Sequence, residues 1–144
     1  MNKETSVGAK LLKRFYDEFW NKRRFDILDE LVTQDCLLHF ADRSHQMLSE
    51  TSRKVHQDWI KSFPDLKFTI HDLMEEGDLT AVRLTFEGTH QGQFEGIAPT
   101  NKHFRVTEML FARVQGDKIC EMWEDYDMLG MMKQLGFNLT KPVS

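Results

Sequence analysis

The chain has 144 residues, a formal net charge of −4 and two cysteines. That length supports one domain over residues 1–144, and the acidic balance, with only the short basic run Lys22-Arg23-Arg24, argues against a nucleic-acid partner. No stretch approaches the length of an apolar membrane span and the first residues lack a leader's apolar segment, so a cytoplasmic protein without a membrane partner is expected.

Leu11, Leu12, Phe15, Tyr16, Phe19 and Trp20 form a wide apolar stripe at helical spacing, and Ser6 is placed to cap that helix. A short second helix carries Ile27, Leu28, Leu31 and Val32, and Cys36–Phe40 reads as a strand. The polar stretch Ala41–Glu50 has no clear period. Val55, Trp59 and Phe63 space a third helix that Pro64 stops. The period then changes to two. Phe68, Ile70 and Met74 are expected on one strand face, and Leu84 and Phe86 on the next strand after the Glu76-Gly77-Asp78 turn. His103–Val114 is the longest strand, Gln115-Gly116-Asp117 a hairpin turn, and Lys118 to about Asp125 the last strand. Asp127 is placed to cap a terminal helix with Met128, Leu129, Met131, Met132 and Leu135, ended by Gly136. The order α-α-β-α-β-β-β-β-α implies an α+β fold: a mostly antiparallel sheet with helices across one face and a cavity between the layers.

One face of the longest strand reads Phe104, Val106, Glu108, Leu110, Ala112, Val114. A lone carboxylate in such a row must be paired, protonated or facing a pocket. A three-residue hairpin loop sets Leu110 opposite Met122 and Glu108 opposite Glu124; a two-residue loop sets Glu108 opposite Asp125 instead. Adjacent carboxylates cannot both ionise freely, and a pair with one raised pKa suits acid–base chemistry. The plainer reading pairs either glutamate with a cation such as Arg83 or Arg105. Tyr16, on the first helix's apolar stripe, could donate a hydrogen bond into the cavity, and His39 could point there, although each fits ordinary packing as well. Trp20, Trp59 and Trp123 are expected in the core or lining a pocket. His45, His56, His90 and His103 fall among polar residues. No His or Cys spacing marks a metal site, no glycine-rich phosphate loop follows a strand, and Cys36 and Cys120 are expected to be free thiols.

The stretches GTHQGQFEGIAPTNKHF and DKICEMWEDYDMLGMMKQLG, with Glu108 between them, resemble the SnoaL-like polyketide cyclase family of the nuclear-transport-factor-like cone fold. EEGDLTAVRLTFEGTH fits the strand before them. The resemblance implies a cone-shaped α+β barrel around an apolar cavity, a homodimer formed through the outer sheet face, and no metal or organic cofactor. It puts Ile97, in the Gly96–Thr100 loop, at the cavity edge. The family's ring-closing members use an acid/base Asp on the last strand just after a Trp. Here that slot is Glu124, and the position of their strand His is Leu110. Glu124, Glu108 and Asp127 are therefore the candidate catalytic residues, and Tyr16, Trp20, His39, Trp59, Leu110, Met122 and Ile97 the candidate substrate contacts. The expected function is proton transfer on a small hydrophobic carbonyl compound, by aldol cyclisation, isomerisation or a similar step. The alternatives are a non-catalytic domain that binds a hydrophobic ligand, or a dimeric scaffold whose own side chains fill the cavity.

Overall fold

The computed structural model describes residues 6–138 and residue 140. Helix α1 spans Val7–Arg14 and runs on as a wider π-helical segment over Phe15–Asn21. A 3₁₀ turn at Phe25–Ile27 leads into the short α2 (Leu28–Leu31). Strands β1 (Val32–Phe40) and β2 (Arg43–Gln46) form a hairpin, followed by α3 (Glu50–Ser62). Strands β3 (Lys67–Glu76), β4 (Leu79–Thr89), β5 (His103–Gln115) and β6 (Lys118–Tyr126) make a meander, and α4 (Met128–Gln134) closes the order. Both long helices begin with a serine cap: Ser6 Oγ accepts from Ala9 N–H, and Ser49 Oγ from Ser52 N–H. No helix among the described residues is long and apolar enough to cross a membrane.

The six strands lie in the order β2-β1-β6-β5-β4-β3. Every neighbouring pair is antiparallel except β1 with β6. The sheet curves without closing, so β2 and β3 remain edges and the cone is an open half-barrel. Irregularities in three of the strand pairings bend it. Strand β2 is absent from the element order expected from sequence. Its residues Arg-Ser-His-Gln are polar and mostly exposed, as suits an edge strand, so no buried alternation marks it.

The buried, concave face carries Val82, Leu84 and Phe86 from β4 and Phe104, Val106, Leu110 and Ala112 from β5. Leu11, Leu12, Phe15, Tyr16 and Phe19 cover it from α1 and its π-helical extension, and Phe63 from the end of α3. Met74 breaks the expected face of β3. A bulge at His71 puts Leu73 opposite Val82, and Met74 is left 74% exposed. The histidine expectation changes too. His56 and His90 are buried, His56 among Phe19, Trp20 and Phe25 and His90 beside Phe63. Local polarity in sequence did not predict their depth, because both are brought inside by tertiary contacts. Cys36 and Cys120 are free thiols, Cys36 buried and Cys120 partly so, and burial pushes the Cys36 thiol up to about 12.

The long loop between β4 and β5 folds over the end of α3. His90 anchors its base: Thr100 N–H donates to His90 Nδ1, and the Thr100 hydroxyl lies 3.0 Å from the same nitrogen. Gln91 and Gly92 N–H donate to the Ser62 carbonyl, and the Ser62 hydroxyl donates to the Gln93 carbonyl. Only glycine fits at 92, since a Cβ there would fall on the Lys61 carbonyl. At the tip Phe94 and Ile97 exchange two backbone hydrogen bonds around Glu95 and Gly96, both at positive φ. The Phe94 ring turns inward onto Trp59 and Phe63, with centroids 5.2 and 5.1 Å away. The apolar residue in this loop thus holds the loop down on α3.

Candidate active site

The hairpin register decides which carboxylates meet, and it differs from both expected registers. Gln115 pairs with Lys118 across a two-residue Gly116-Asp117 loop, and an extra residue near Cys120 then shifts β6 by one position. Glu108 consequently lies opposite Tyr126, Glu124 opposite Leu110, and Met122 opposite Ala112. Glu108 and Glu124 are diagonal neighbours on one face rather than a directly facing pair. Diagonal residues on one sheet face remain within about 8 Å, close enough for their charges to interact across a low-dielectric interior.

Glu108 is 4% exposed and its Oε2 has no hydrogen-bond partner among the described residues. Glu124 is partly buried. The cations considered as partners are engaged elsewhere, Arg83 with Asp72 and Arg105 with Glu87. No ion pair among the described residues involves Glu108 or Glu124. Burial, and then the neighbouring Glu124 charge, hold the Glu108 carboxyl well above the usual range. Burial and then Asp125 push Glu124 up to about 7. Tyr16 joins them from the π-helical segment, a local widening often found where a helix presents a functional side chain. Its hydroxyl is buried without a partner, and burial followed by the charges of Glu108 and Glu124 keep it protonated.

Aromatic rings wall this acidic patch. Tyr126 stacks on Phe40 at 5.0 Å and meets Phe86 at 5.4 Å and Trp59 at 6.1 Å. Phe68 lies 5.3 Å from Tyr16. Tyr126 and Phe40 were not among the candidate residues. The signal for Tyr126 is the β6 alternation Met122, Glu124, Tyr126, and Phe40 is brought to it by the parallel pairing of β1 with β6. Leu110 and Met122 form the buried floor, and Trp59 belongs to the wall. Trp20 packs one turn beyond Tyr16 against Phe68 and His56.

Three candidates lie apart from this group. His39 shares the opposite face with Trp123, on which it stacks at 5.4 Å; its ring nitrogens lie 2.6 Å from Ser44 Oγ and 2.6 Å from Glu121 Oε2. Ile97 sits at the loop tip, outside the packed core. Asp127 is exposed and caps α4, its Oδ1 accepting from Gly130 N–H at 2.8 Å. Asp127→Ala should lower stability by about 0.5–2 kcal/mol in a denaturant titration, and Asp127→Asn, which keeps a capping oxygen, by much less. A large loss of activity in a stable Asp127→Asn protein would return this residue to the catalytic set.

The described surface includes two concavities beside α3. One, of about 480 Å³, lies between the Phe19–Leu28 turns, Met47 and Leu48, and His56 of α3. The other, of about 500 Å³, lies between α3 and the loop and is lined by Val55, Trp59 and Phe94. Neither contains Tyr16, Glu108 or Glu124. Trp59 both lines the second and packs against Tyr126 of the aromatic wall.

Comparison with known proteins agrees with this architecture. IdmH of Streptomyces antibioticus is 29% identical, with 90% of this chain and 98% of that one covered and a TM-score of 0.77. TsrD of Streptomyces laurentii is 24% identical, with 92% and 98% covered and a TM-score of 0.79. A SnoaL-like polyketide cyclase of Agrobacterium tumefaciens shares the fold at 21% identity, with 92% and 100% covered and a TM-score of 0.74. A search of curated proteins found no match. The family model described as SnoaL-like polyketide cyclase matches residues 10–135, nearly the whole of the described fold. The chain therefore belongs to the SnoaL-like polyketide cyclase family.

Proposed function

We propose that the protein is a cofactor-free acid/base enzyme acting on a small hydrophobic carbonyl compound, with Glu124 as the base. The observation that carries this reading is a buried carboxylate, Glu108, beside a partly buried one, Glu124, with no cation partner for either, inside an aromatic wall. A carboxylate brought to about 7 is a stronger base than an ordinary one and is still about half ionised at neutrality. Glu108, more deeply buried, stays protonated beside it. Removal of a proton α to a carbonyl needs no more than this base and a stabilised oxygen, in a site that excludes water. Aldol closure, isomerisation and related steps share that first event. Leu110 in place of a strand histidine favours the simpler members of the set. Substrate would enter by displacing Trp59 and Phe94 from the mouth. The test is exchange of α-hydrogens from a panel of apolar ketones in deuterated water, followed by mass spectrometry. Exchange that requires the folded protein supports the reading, and an exchange rate equal to buffer for the whole panel counts against it.

A homodimer is the expected assembly. Met109 and Phe111 on the outer face of β5 are 60% and 52% exposed, and a second copy of that face would cover them. Sedimentation at micromolar concentration should give about twice the 17.0 kDa monomer mass. A single monomeric species would remove this assembly.

A further inference from the structure

On the outer face of the sheet a serine, a histidine and a carboxylate are hydrogen-bonded in series. His39 Nδ1 lies 2.6 Å from Ser44 Oγ, and His39 Nε2 lies 2.6 Å from Glu121 Oε2. Three strands supply them. Pairing sets His39 opposite Ser44 on β2 and opposite Trp123 on β6, two residues after Glu121. A carboxylate can only accept, so in the neutral imidazole Nε2 carries the proton and the bare Nδ1 accepts from the Ser44 hydroxyl. The ring is held in place: it stacks on Trp123 at 5.4 Å, and the Arg113 guanidinium lies 5.8 Å from the centre of that indole. Hydroxyl to imidazole to carboxylate is the order of a serine hydrolase relay, here with the two ring nitrogens exchanged.

The strand pairing adds a backbone donor. Met47 N–H donates to the Cys36 carbonyl, and Phe40 and Arg43 face each other across a two-residue turn. Hydrogen-bonded and non-bonded pairs alternate along antiparallel strands, so His39 and Ser44 form a non-bonded pair. Such pairs bring side chains closest, which lets His39 reach Ser44. The same alternation turns Ser44 N–H away from β1, toward the open edge of the sheet at β2. It stands beside Oγ, as the nucleophile's own N–H does in an oxyanion hole.

We propose that Ser44, His39 and Glu121 form a second site, an acyl-transfer relay that cleaves carboxylic esters through an acyl-Ser44 intermediate. Ser44 and His39 do the chemistry, and Glu121 positions the imidazole. Ser44 is exposed on an edge strand, so the reactivity of the ester rather than its shape decides the substrate, and short-chain aryl esters are the class that fits. The site is independent of the concave face. It also stands three strands from Met109 and Phe111, the residues that a second copy would cover. In the step, Ser44 Oγ bonds to the ester carbonyl carbon while its proton passes to His39 Nδ1. The carbonyl π pair moves onto oxygen, which accepts from Ser44 N–H. That pair then returns, the bond to the aryl oxygen breaks, and the phenol leaves with the proton from His39. Water, deprotonated by His39, attacks the acyl carbon, and the carboxylic acid departs as Ser44 recovers its proton. Nothing is oxidised or reduced.

The experiment is reaction of the full chain with 4-nitrophenyl acetate and, separately, with a fluorophosphonate, followed by peptide mass mapping. The wild-type protein should release nitrophenolate faster than buffer and carry the acetyl or phosphonyl mass on Ser44. Ser44→Ala should remove that label, and His39→Ala should slow its formation by roughly two orders of magnitude. Glu121→Gln should slow it too, while Glu121→Asp, which keeps the charge, should retain more of the rate than Gln does. A purely structural role for Glu121 would not separate the two by charge. Aryl esters also acylate surface lysines, so label on lysine alone, or ester cleavage equal in wild type and Ser44→Ala, overturns the proposal. Should His39→Ala fail to fold, Ser44→Ala, which removes one oxygen from an exposed residue, decides alone.

Discussion

Glu124→Gln should lower ketone exchange or turnover by roughly two to four orders of magnitude while the chain stays folded. The substitution keeps shape and removes the group that titrates. The wild-type rate should rise with pH and level off above about 7, because the ionised carboxylate is the active form. Stability should run the other way. A carboxyl whose pKa is raised on folding holds its proton more tightly in the native state, so its contribution is fully present below about pH 4.5. That contribution is lost as pH rises through about 7. The acidic and phenolic groups near Glu124 reinforce the sign. The Asp125 charge on its own strand acts on Glu124, and Glu108 on β5, Tyr16 on the helical layer and Tyr126 at the strand end are held protonated by burial and by neighbouring carboxylates, so none supplies a positive charge. Glu124→Gln should therefore be the more stable protein at pH 8, by on the order of 1–3 kcal/mol, with the difference shrinking toward pH 5. Equal denaturation midpoints at pH 8, with unchanged turnover, would mean that Glu124 is an ordinary rim carboxylate.

Phe63→Ala should cost about 3–5 kcal/mol in a chemical denaturation experiment, the range for deleting a fully buried aromatic ring. Phe63 has no exposed surface and joins three parts of the molecule: Trp59 on α3, His90 and Phe94 of the loop, and Phe104 on β5. Its loss removes the floor beneath the loop as well as core contacts. Backbone amides of Gly92, Phe94 and Ile97 should then exchange with solvent faster than those of β5, beyond the change expected from lower global stability. A cost below about 1 kcal/mol would show that the region repacks freely and that the loop is held by His90 and Ser62 instead.

Much of the fold was legible along the chain because burial leaves a period. The stripe from Leu11 to Trp20 and the alternation from Phe104 to Ala112 both read as one-sided elements, and both are buried on the expected side. Serine and aspartate caps were visible because their chemistry is local to one turn. Glu108 stood out for the same reason, as the one charge in an apolar row. Strand β2 stayed hidden because an exposed edge strand has no apolar period to show.

What sequence alone could establish here was the set of faces and ends: which residues share a buried side, where each helix starts, and that one carboxylate must be held inside. Everything that depended on alignment between distant segments was settled by packing. One extra residue near Cys120 moved Glu108 from Asp125, its partner in the two-residue-loop register, to Tyr126. One at His71 exchanged Leu73 for Met74 on the core side. The parallel pairing of β1 with β6 aligned His39 with Trp123 and turned it to the outer face, and the fold of the loop onto α3 buried His90. The physical reason is common to the strand pairings. A period of two tells which residues lie together on a face but not which face of a neighbour they meet, and a single inserted residue reverses that choice.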